Sequence, residues 1–201
     1  MEYTGVPLIL ASASLRRKEI LEAHGVAHII IPSDADETLP EGARFTPEQT
    51  TVYLAELKAE TVLETLDPKD WPLGCRILGV DTIVYKDDII GKPADEADAL
   101  RILNTLKNTS HEVISGVCLI TAEPSDGKLK CEKKHLFSDT TEVSFDDYTD
   151  EEILAYIHSN PPYDKSGSYA IQSDWGKHVL EVNGDIENVI GLPFNKLSQY
   201  L

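Results

Sequence analysis

The segment Ser12-Ala-Ser14-Leu-Arg16-Arg17 places hydroxyl and guanidinium groups where an apolar strand gives way to a helix. Backbone N–H groups at a helix N-terminus bind phosphate, and serine hydroxyls add further donors. Arginine offers a planar fork that matches two phosphate oxygens. The segment therefore indicates a phosphate site, although a plain helix cap followed by two solvated arginines has the same pattern. A Walker phosphate loop is excluded, because its glycine-rich motif does not occur in the sequence.

Gly79-Val-Asp81-Thr82 lies in the most apolar, β-branched run of the chain. A carboxylate in such a run is costly unless it is paired, bound to a metal or placed at the strand end. Ligands of α/β sheets gather at strand ends, so Asp81 is a candidate metal ligand or general base. The alternative is an aspartate that merely caps a β-turn.

Two further groups carry charge that could serve the same chemistry. The paired acids Asp36 and Glu37 could hold a divalent metal through oxygen, but by themselves they are more typical of a solvated loop. Lys58 and Lys92 are isolated lysines in apolar surroundings, from which each could reach a phosphate as a point charge. Surface placement is the usual alternative for a lysine.

The segment from Asp164 to Gln172 has the composition of a recognition loop. Gly167 permits a backbone conformation that other residues avoid. Lys165 supplies a cation, and Gln172 carries both a donor and an acceptor, which could read the edge of a nucleobase. Periodicity alone does not establish that role.

The elements that must position these residues follow from hydrophobic periodicity and capping signals. Strands and helices alternate, which predicts an α/β fold on a mixed twisted sheet flanked by helices, with a central cleft. We expect one domain over residues 1–201. The predicted strands cover 6–11, 26–32, 76–85, 113–122 and two stretches within 128–145, and the predicted helices cover 14–24, 46–66, a segment starting at Pro93, and 151–158.

Composition excludes several classes of protein. The formal net charge of −17 argues against nucleic-acid binding, because a field of that sign repels phosphate chains. No stretch approaches the ~20 apolar residues of a membrane helix, and the N-terminus does not have the pattern of a signal peptide. The 3 cysteines form no CxxC pair, so we expect reduced, buried thiols in the cytoplasm and neither a zinc site nor a disulfide framework.

Taken together and in order, these segments closely resemble the Maf family over nearly the whole chain. Each motif alone is weak, but the ordered set is highly specific. The matching pieces are Ser12-x-Ser14-x-Arg16-Arg17, Asp36-Glu37, Lys58, Gly79-x-Asp81-Thr82, Gly91-Lys92-Pro93, His111-x-Val113, Thr141-x-Val143-x-Phe145, Asp164-Lys165-x-Gly167-x-Tyr169-x-Ile171-Gln172, and Gly184-Asp185 with Asn188 and Gly191-Leu-Pro193.

The resemblance implies a Maf/ITPase-like fold, a homodimer, and metal-dependent hydrolysis of a nucleoside triphosphate to a monophosphate and pyrophosphate. It implies that Asp81 accepts the proton, and we expect Glu37 and Asp81 to contact Mg²⁺ or Mn²⁺. The residues that it implies for substrate binding are Ser12, Arg16, Arg17, Lys58, Thr82, Lys92, Lys165 and Gln172.

The loop with Lys165 and Gln172 is similar to that of the subgroup acting on dTTP and UTP. The alternatives are 7-methyl-GTP specificity, which those two residues disfavour, and a non-catalytic regulator of cell division. Leu15 stands where the family usually has proline, and Ala170 replaces a glycine. These departures bear on substrate preference more than on chemistry.

Overall fold

The computed structural model describes residues 6–201. Its strands are β1 (Leu8–Leu10), β2 (His28–Ile30), β3 (Cys75–Lys86), β4 (Asp88–Ile90), β5 (Ser110–Ser125), β6 (Lys128–Phe145) and β7 (Val179–Asn183). Its helices are α1 (Leu15–Ala23), α2 (Pro47–Thr65), α3 (Glu96–Leu106), α4 (Asp150–Ser159), α5 (Ile186–Ile190) and α6 (Phe194–Leu197).

The strands form one seven-stranded sheet in the order β2-β1-β3-β5-β6-β7, and β4 pairs with β3. Strand β1 is parallel to β2 and to β3, whereas the β3–β4 and β6–β7 pairs are antiparallel. The mixed sheet and its helices confirm the predicted α/β class.

The chain divides into two compact units. Unit 1 comprises Met1–Asp81, Ser115–Asp139 and Phe194–Leu201, and unit 2 comprises Thr82–Ile114 and Thr140–Pro193. The core of unit 1 contains Ile9, Ile77 and Ile120 with the small residues Ala55 and Ala59. The core of unit 2 is more aromatic and includes Phe145, Tyr148, Tyr156, Tyr169 and Trp175. The single-domain expectation for residues 1–201 stays a prediction.

The two predicted capping boxes located the starts of α2 and α4. At the start of α2, Gln49 N donates to Thr46 Oγ1 at 3.3 Å and Thr46 N donates to Gln49 Oε1 at 3.0 Å. Thr149 and Glu152 make the same reciprocal pair at the start of α4. Both predicted capping boxes are therefore confirmed.

The predicted start of α3 and the predicted break within residues 128–145 were wrong, and two helices were not predicted. Helix α3 begins at Glu96 and not at Pro93, because the Asp95 side chain accepts from Asp98 N and fixes the start there. Residues 128–145 form one continuous strand and not two. The tail contains the short helices α5 and α6, which were not predicted.

The cysteines are free, and they differ in exposure. Cys75 and Cys118 are buried, and burial raises the pKa of Cys75 to about 11 and that of Cys118 to about 12. Cys131 is exposed, so the expectation of a buried thiol was wrong there. It lies on β6, where successive side chains point to opposite faces. Across residues 6–201, no helix is both long enough and apolar enough to cross a membrane.

Helix α2 approaches β3 closely at Gly79. A Cβ at this position would lie 2.0 Å from Ala55 O and 3.0 Å from the Ala59 Cβ. Both alanines are fully buried. The small residues on each side therefore set the spacing between the helix and the strand, which carry Lys58 and Asp81 respectively.

We expect Gly79→Ala to lower the free energy of unfolding by about 1–3 kcal/mol, because the added methyl must push α2 away from β3. Urea unfolding measures this loss. Gly91→Ala is the control, since a Cβ there meets open space among residues 6–201, and its effect should stay below about 0.5 kcal/mol. Equal losses in the two variants would contradict the close approach as the cause.

Candidate functional site

In unit 1, the loop between β1 and α1 is organised around the Ser12 hydroxyl. Ser12 Oγ accepts a hydrogen bond from Ser14 N at 3.2 Å and another from Arg17 Nη1 at 3.0 Å. Ser14 occupies the N-cap position of α1. The loop thus joins the helix N-terminus, a hydroxyl and a guanidinium in one short segment, which is the combination that binds phosphate oxygens.

Lys58 joins two carboxylates that are far apart in the sequence. Its Nζ lies 2.6 Å from Asp81 Oδ1 and 3.1 Å from Glu37 Oε2. The Lys58 side chain is only 13% exposed and that of Asp81 only 11%, whereas that of Glu37 is 52% exposed. Lys58 is therefore not an ordinary solvated lysine, and Asp81 is a paired carboxylate on β3.

Arg17 adds a second cation to the group formed by Lys58, Asp81 and Glu37 in unit 1. Burial lowers its pKa to about 10, with a smaller lowering from Arg16, while the charges of Asp81 and Glu37 act in the opposite direction. The guanidinium still remains cationic at pH 7, because that pKa lies well above neutrality. We call Ser12, Arg17, Glu37, Lys58 and Asp81 the charged cluster.

The pair Glu37 and Asp81 suits a divalent cation that arrives with its substrate. Within residues 6–201, no group of three or more His, Cys, Asp or Glu residues could hold a metal ion. Mg²⁺ is commonly bound through one or two carboxylates, with substrate phosphates and water as its other ligands. Two hard oxygen ligands beside phosphate-binding cations fit that mode and do not resemble a closed protein cage.

In unit 2, Thr82 forms hydrogen bonds with residues of two other segments. Its Oγ1 donates to Gly191 O at 3.4 Å, and its carbonyl oxygen accepts from Ser166 Oγ at 3.2 Å. These bonds fix the loop after Asp164 against the start of the unit 2 portion of β3.

Gly167 takes the conformation expected of it. Its φ is 74°, and a Cβ there would lie 2.6 Å from Val84 Cγ2. Its N–H donates to Gly91 O at 3.2 Å, which connects the loop to the Gly91-Lys92-Pro93 segment. Glycine is required here by both the left-handed backbone and the nearby valine.

The remaining predicted residues of unit 2 differ in exposure. The Lys165 side chain is 18% exposed, and its Nζ donates to Pro161 O at 3.3 Å and pairs with Asp164. Lys92 and Gln172 are exposed. Gln172 follows Ile171, which packs against the unit 2 core. The exposed glutamine is therefore held in place by the packing of its neighbour Ile171.

Sequence reasoning gave no role to a buried polar pair that holds this loop. Tyr169 Oη lies 2.8 Å from His111 Nε2, and both rings pack against Phe145. Burial lowers the pKa of His111 to about 4, with Lys86 adding to the effect, so the imidazole is neutral at pH 7. Both residues lie in motifs that the sequence analysis recognised. Neither motif alone, however, predicts a contact between residues 58 positions apart.

Comparisons with known proteins show what this chain is similar to. The family model described as Maf-like protein matches residues 7–201. The dTTP/UTP pyrophosphatase of Bacillus cereus is 41% identical over 195 residues, covering 96% of this chain and 93% of the relative. That of Bacillus anthracis is 40% identical with the same coverage, and that of Agathobacter rectalis is 37% identical over 206 residues, covering 96% and 95%.

The resemblance read from ordered motifs is thus matched by a family model over almost the whole chain and by relatives of nearly equal length. Within each unit, motif residues also form the hydrogen bonds and ion pairs described above. This chain belongs to the Maf family.

Proposed function

We propose that this protein is a nucleoside triphosphate pyrophosphatase that hydrolyses dTTP and UTP to the nucleoside monophosphate and pyrophosphate. The observation that carries the proposal is the charged cluster, in which a largely buried aspartate lies within hydrogen-bond distance of Lys58. Family membership and the printed activity of the relatives support the same reaction.

The charged cluster supplies the groups that this hydrolysis needs. Asp81 takes the proton of the water that attacks the α-phosphorus, which is the work of a general base. Arg17 and Lys58 of the cluster, together with the adjacent Arg16, bind the phosphate oxygens, and these cations stabilise the charge that develops on the leaving pyrophosphate. Ser12 donates its hydroxyl from the loop that also positions Arg17.

We propose Glu37 and Asp81 as the residues that would hold Mg²⁺ or Mn²⁺. When bound, such an ion neutralises part of the triphosphate charge and polarises the phosphoryl oxygens. The carboxylates are suited to this because hard divalent cations prefer oxygen ligands.

We assign nucleotide recognition to residues of unit 2. Lys92 and Lys165 provide further cations for the phosphates, and Thr82 and Gln172 contribute polar contacts. The carboxamide of Gln172 can donate and accept at once, which matches the adjacent carbonyl and N–H groups of thymine or uracil. The relatives named above are dTTP/UTP pyrophosphatases, which supports pyrimidines over 7-methyl-GTP.

The test is pyrophosphate release from a panel of canonical and modified nucleoside triphosphates, with Mg²⁺ or Mn²⁺ and with EDTA. Release from dTTP and UTP that EDTA abolishes is the expected result. Preferred release from 7-methyl-GTP would contradict the pyrimidine assignment. If folded protein releases pyrophosphate from none of these nucleotides, the result would contradict catalysis and favour a regulatory role.

We expect Gln172→Glu to weaken the preference for dTTP and UTP by about 10-fold or more in kcat/KM, because a carboxylate cannot donate to a base carbonyl. The substrate panel measures the change. Gln199→Glu is the control, since it makes the same charge change at another exposed glutamine. An unchanged ranking of substrates in Gln172→Glu would refute the role of this residue.

We further propose that the protein acts in the cytoplasm as a homodimer and does not bind nucleic acid. Three free cysteines suit a reducing compartment. A net charge of −17 disfavours a polyanionic partner. Light scattering coupled to size-exclusion chromatography tests the dimer directly.

A further inference from the structure

Lys58 has an unusual position for a residue that is proposed to bind phosphate. Its Nζ is 2.6 Å from Asp81 Oδ1 and 3.1 Å from Glu37 Oε2, so one ammonium group pairs with both carboxylates and offsets half of their combined charge. These are the two carboxylates assigned above to the divalent cation. The ammonium and the cation therefore compete for the same pair of anionic side chains.

The lysine side chain is well suited to change partners. It is a compact charge on a flexible four-carbon stem, and it makes no geometric demand on its ligand. A triphosphate offers it an alternative set of anionic oxygens. If Lys58 moved to the phosphates, the negative charge of Glu37 and Asp81 would become available to a divalent ion.

We propose that Lys58 is an exchangeable counter-ion, which occupies the Glu37–Asp81 pair before substrate arrives and transfers to the triphosphate when the nucleotide and its cation bind. This inference rests on the proposed function. It makes Lys58 more than a phosphate ligand, because the residue also keeps the cation affinity of the nucleotide-free protein low. Nucleotide binding and cation binding are then coupled through one side chain.

The experiment measures Mn²⁺ binding to nucleotide-free protein, with free Mn²⁺ followed by electron paramagnetic resonance. Lys58→Met should bind Mn²⁺ about 10-fold or more tightly than wild type, because the competing charge is gone. Lys58→Gln, which retains a hydrogen-bond donor for the carboxylates, should show a gain in the same direction. Adding Glu37→Gln to Lys58→Met should remove the gain.

Lys130→Met is the matched control. It removes one positive charge from the same unit, and Lys130 pairs with the exposed carboxylate of Asp126 at 2.6 Å. Its Mn²⁺ affinity should equal that of wild type. Equal affinity in the Lys58 variants and wild type would overturn the inference, as would an equal gain in Lys130→Met.

Failure of this inference is distinguishable from failure of the proposed function. Wild-type protein that releases pyrophosphate from dTTP, with unchanged Mn²⁺ affinity in both Lys58 variants, would overturn the exchange of partners alone. Wild-type protein that releases none would overturn the proposed function and, with it, the nucleotide-driven part of the exchange.

Discussion

Asp81→Asn is expected to lower kcat for dTTP by about 10²–10⁴-fold, while nucleotide binding remains measurable. Asparagine has nearly the same shape as aspartate, but it cannot accept the proton of the attacking water. The fold should tolerate the change, because Lys58 keeps its ion pair with Glu37 at 3.1 Å. Steady-state kinetics of pyrophosphate release, together with titration of a fluorescent nucleotide, separates the two effects.

Asp126→Asn is the control for this prediction. Asp126 also pairs with a lysine at 2.6 Å in unit 1, but its side chain is 85% exposed. Asparagine also tolerates the left-handed backbone at this position, where φ is 52°. Wild-type turnover by Asp81→Asn, or an equal loss in Asp126→Asn, would remove Asp81 from the role of general base.

The second large effect is expected at Arg17, where replacement with glutamine should lower kcat/KM for dTTP by about 10²–10³-fold. The guanidinium is held by Ser12 at 3.0 Å and can offer paired donors to phosphate oxygens. Arg17→Lys should recover only part of the loss, because a point charge does not reproduce the planar fork. Initial rates measured over a range of dTTP concentrations give kcat/KM for each variant.

Arg101→Gln provides the comparison for Arg17. It removes an arginine whose side chain is 68% exposed and which bonds Asp98 within α3. Its kcat/KM should match that of wild type. Full rescue by Arg17→Lys would show that charge alone matters at this position, and wild-type kinetics in Arg17→Gln would exclude the residue from phosphate binding.

Local signals in the sequence were sufficient for much of the fold. The capping boxes at Thr46 and Thr149 depend on residues three positions apart, so they could be recognised before the structure. The start of α3 was misplaced because proline at a first turn competes with an aspartate cap two residues later, and Asp95 prevails. The helices of the tail are too short for hydrophobic periodicity to reveal them.

Individual residues of the charged cluster could be singled out from the sequence, but their arrangement could not. Asp81 was recognisable as a costly carboxylate in an apolar strand. Its ion pair with Lys58 spans 23 positions and depends on the close packing of α2 at Gly79, which no local pattern encodes. For the same reason the buried pair His111 and Tyr169 was missed, since only the folded chain places them 2.8 Å apart.

The central claim is that water attacks the α-phosphorus, and hydrolysis of dTTP in ¹⁸O-labelled water tests it most directly. The products are separated and analysed by mass spectrometry. We predict dTMP that carries one ¹⁸O atom, together with unlabelled pyrophosphate. Labelled pyrophosphate, or release of dTDP and orthophosphate, would contradict the proposed reaction.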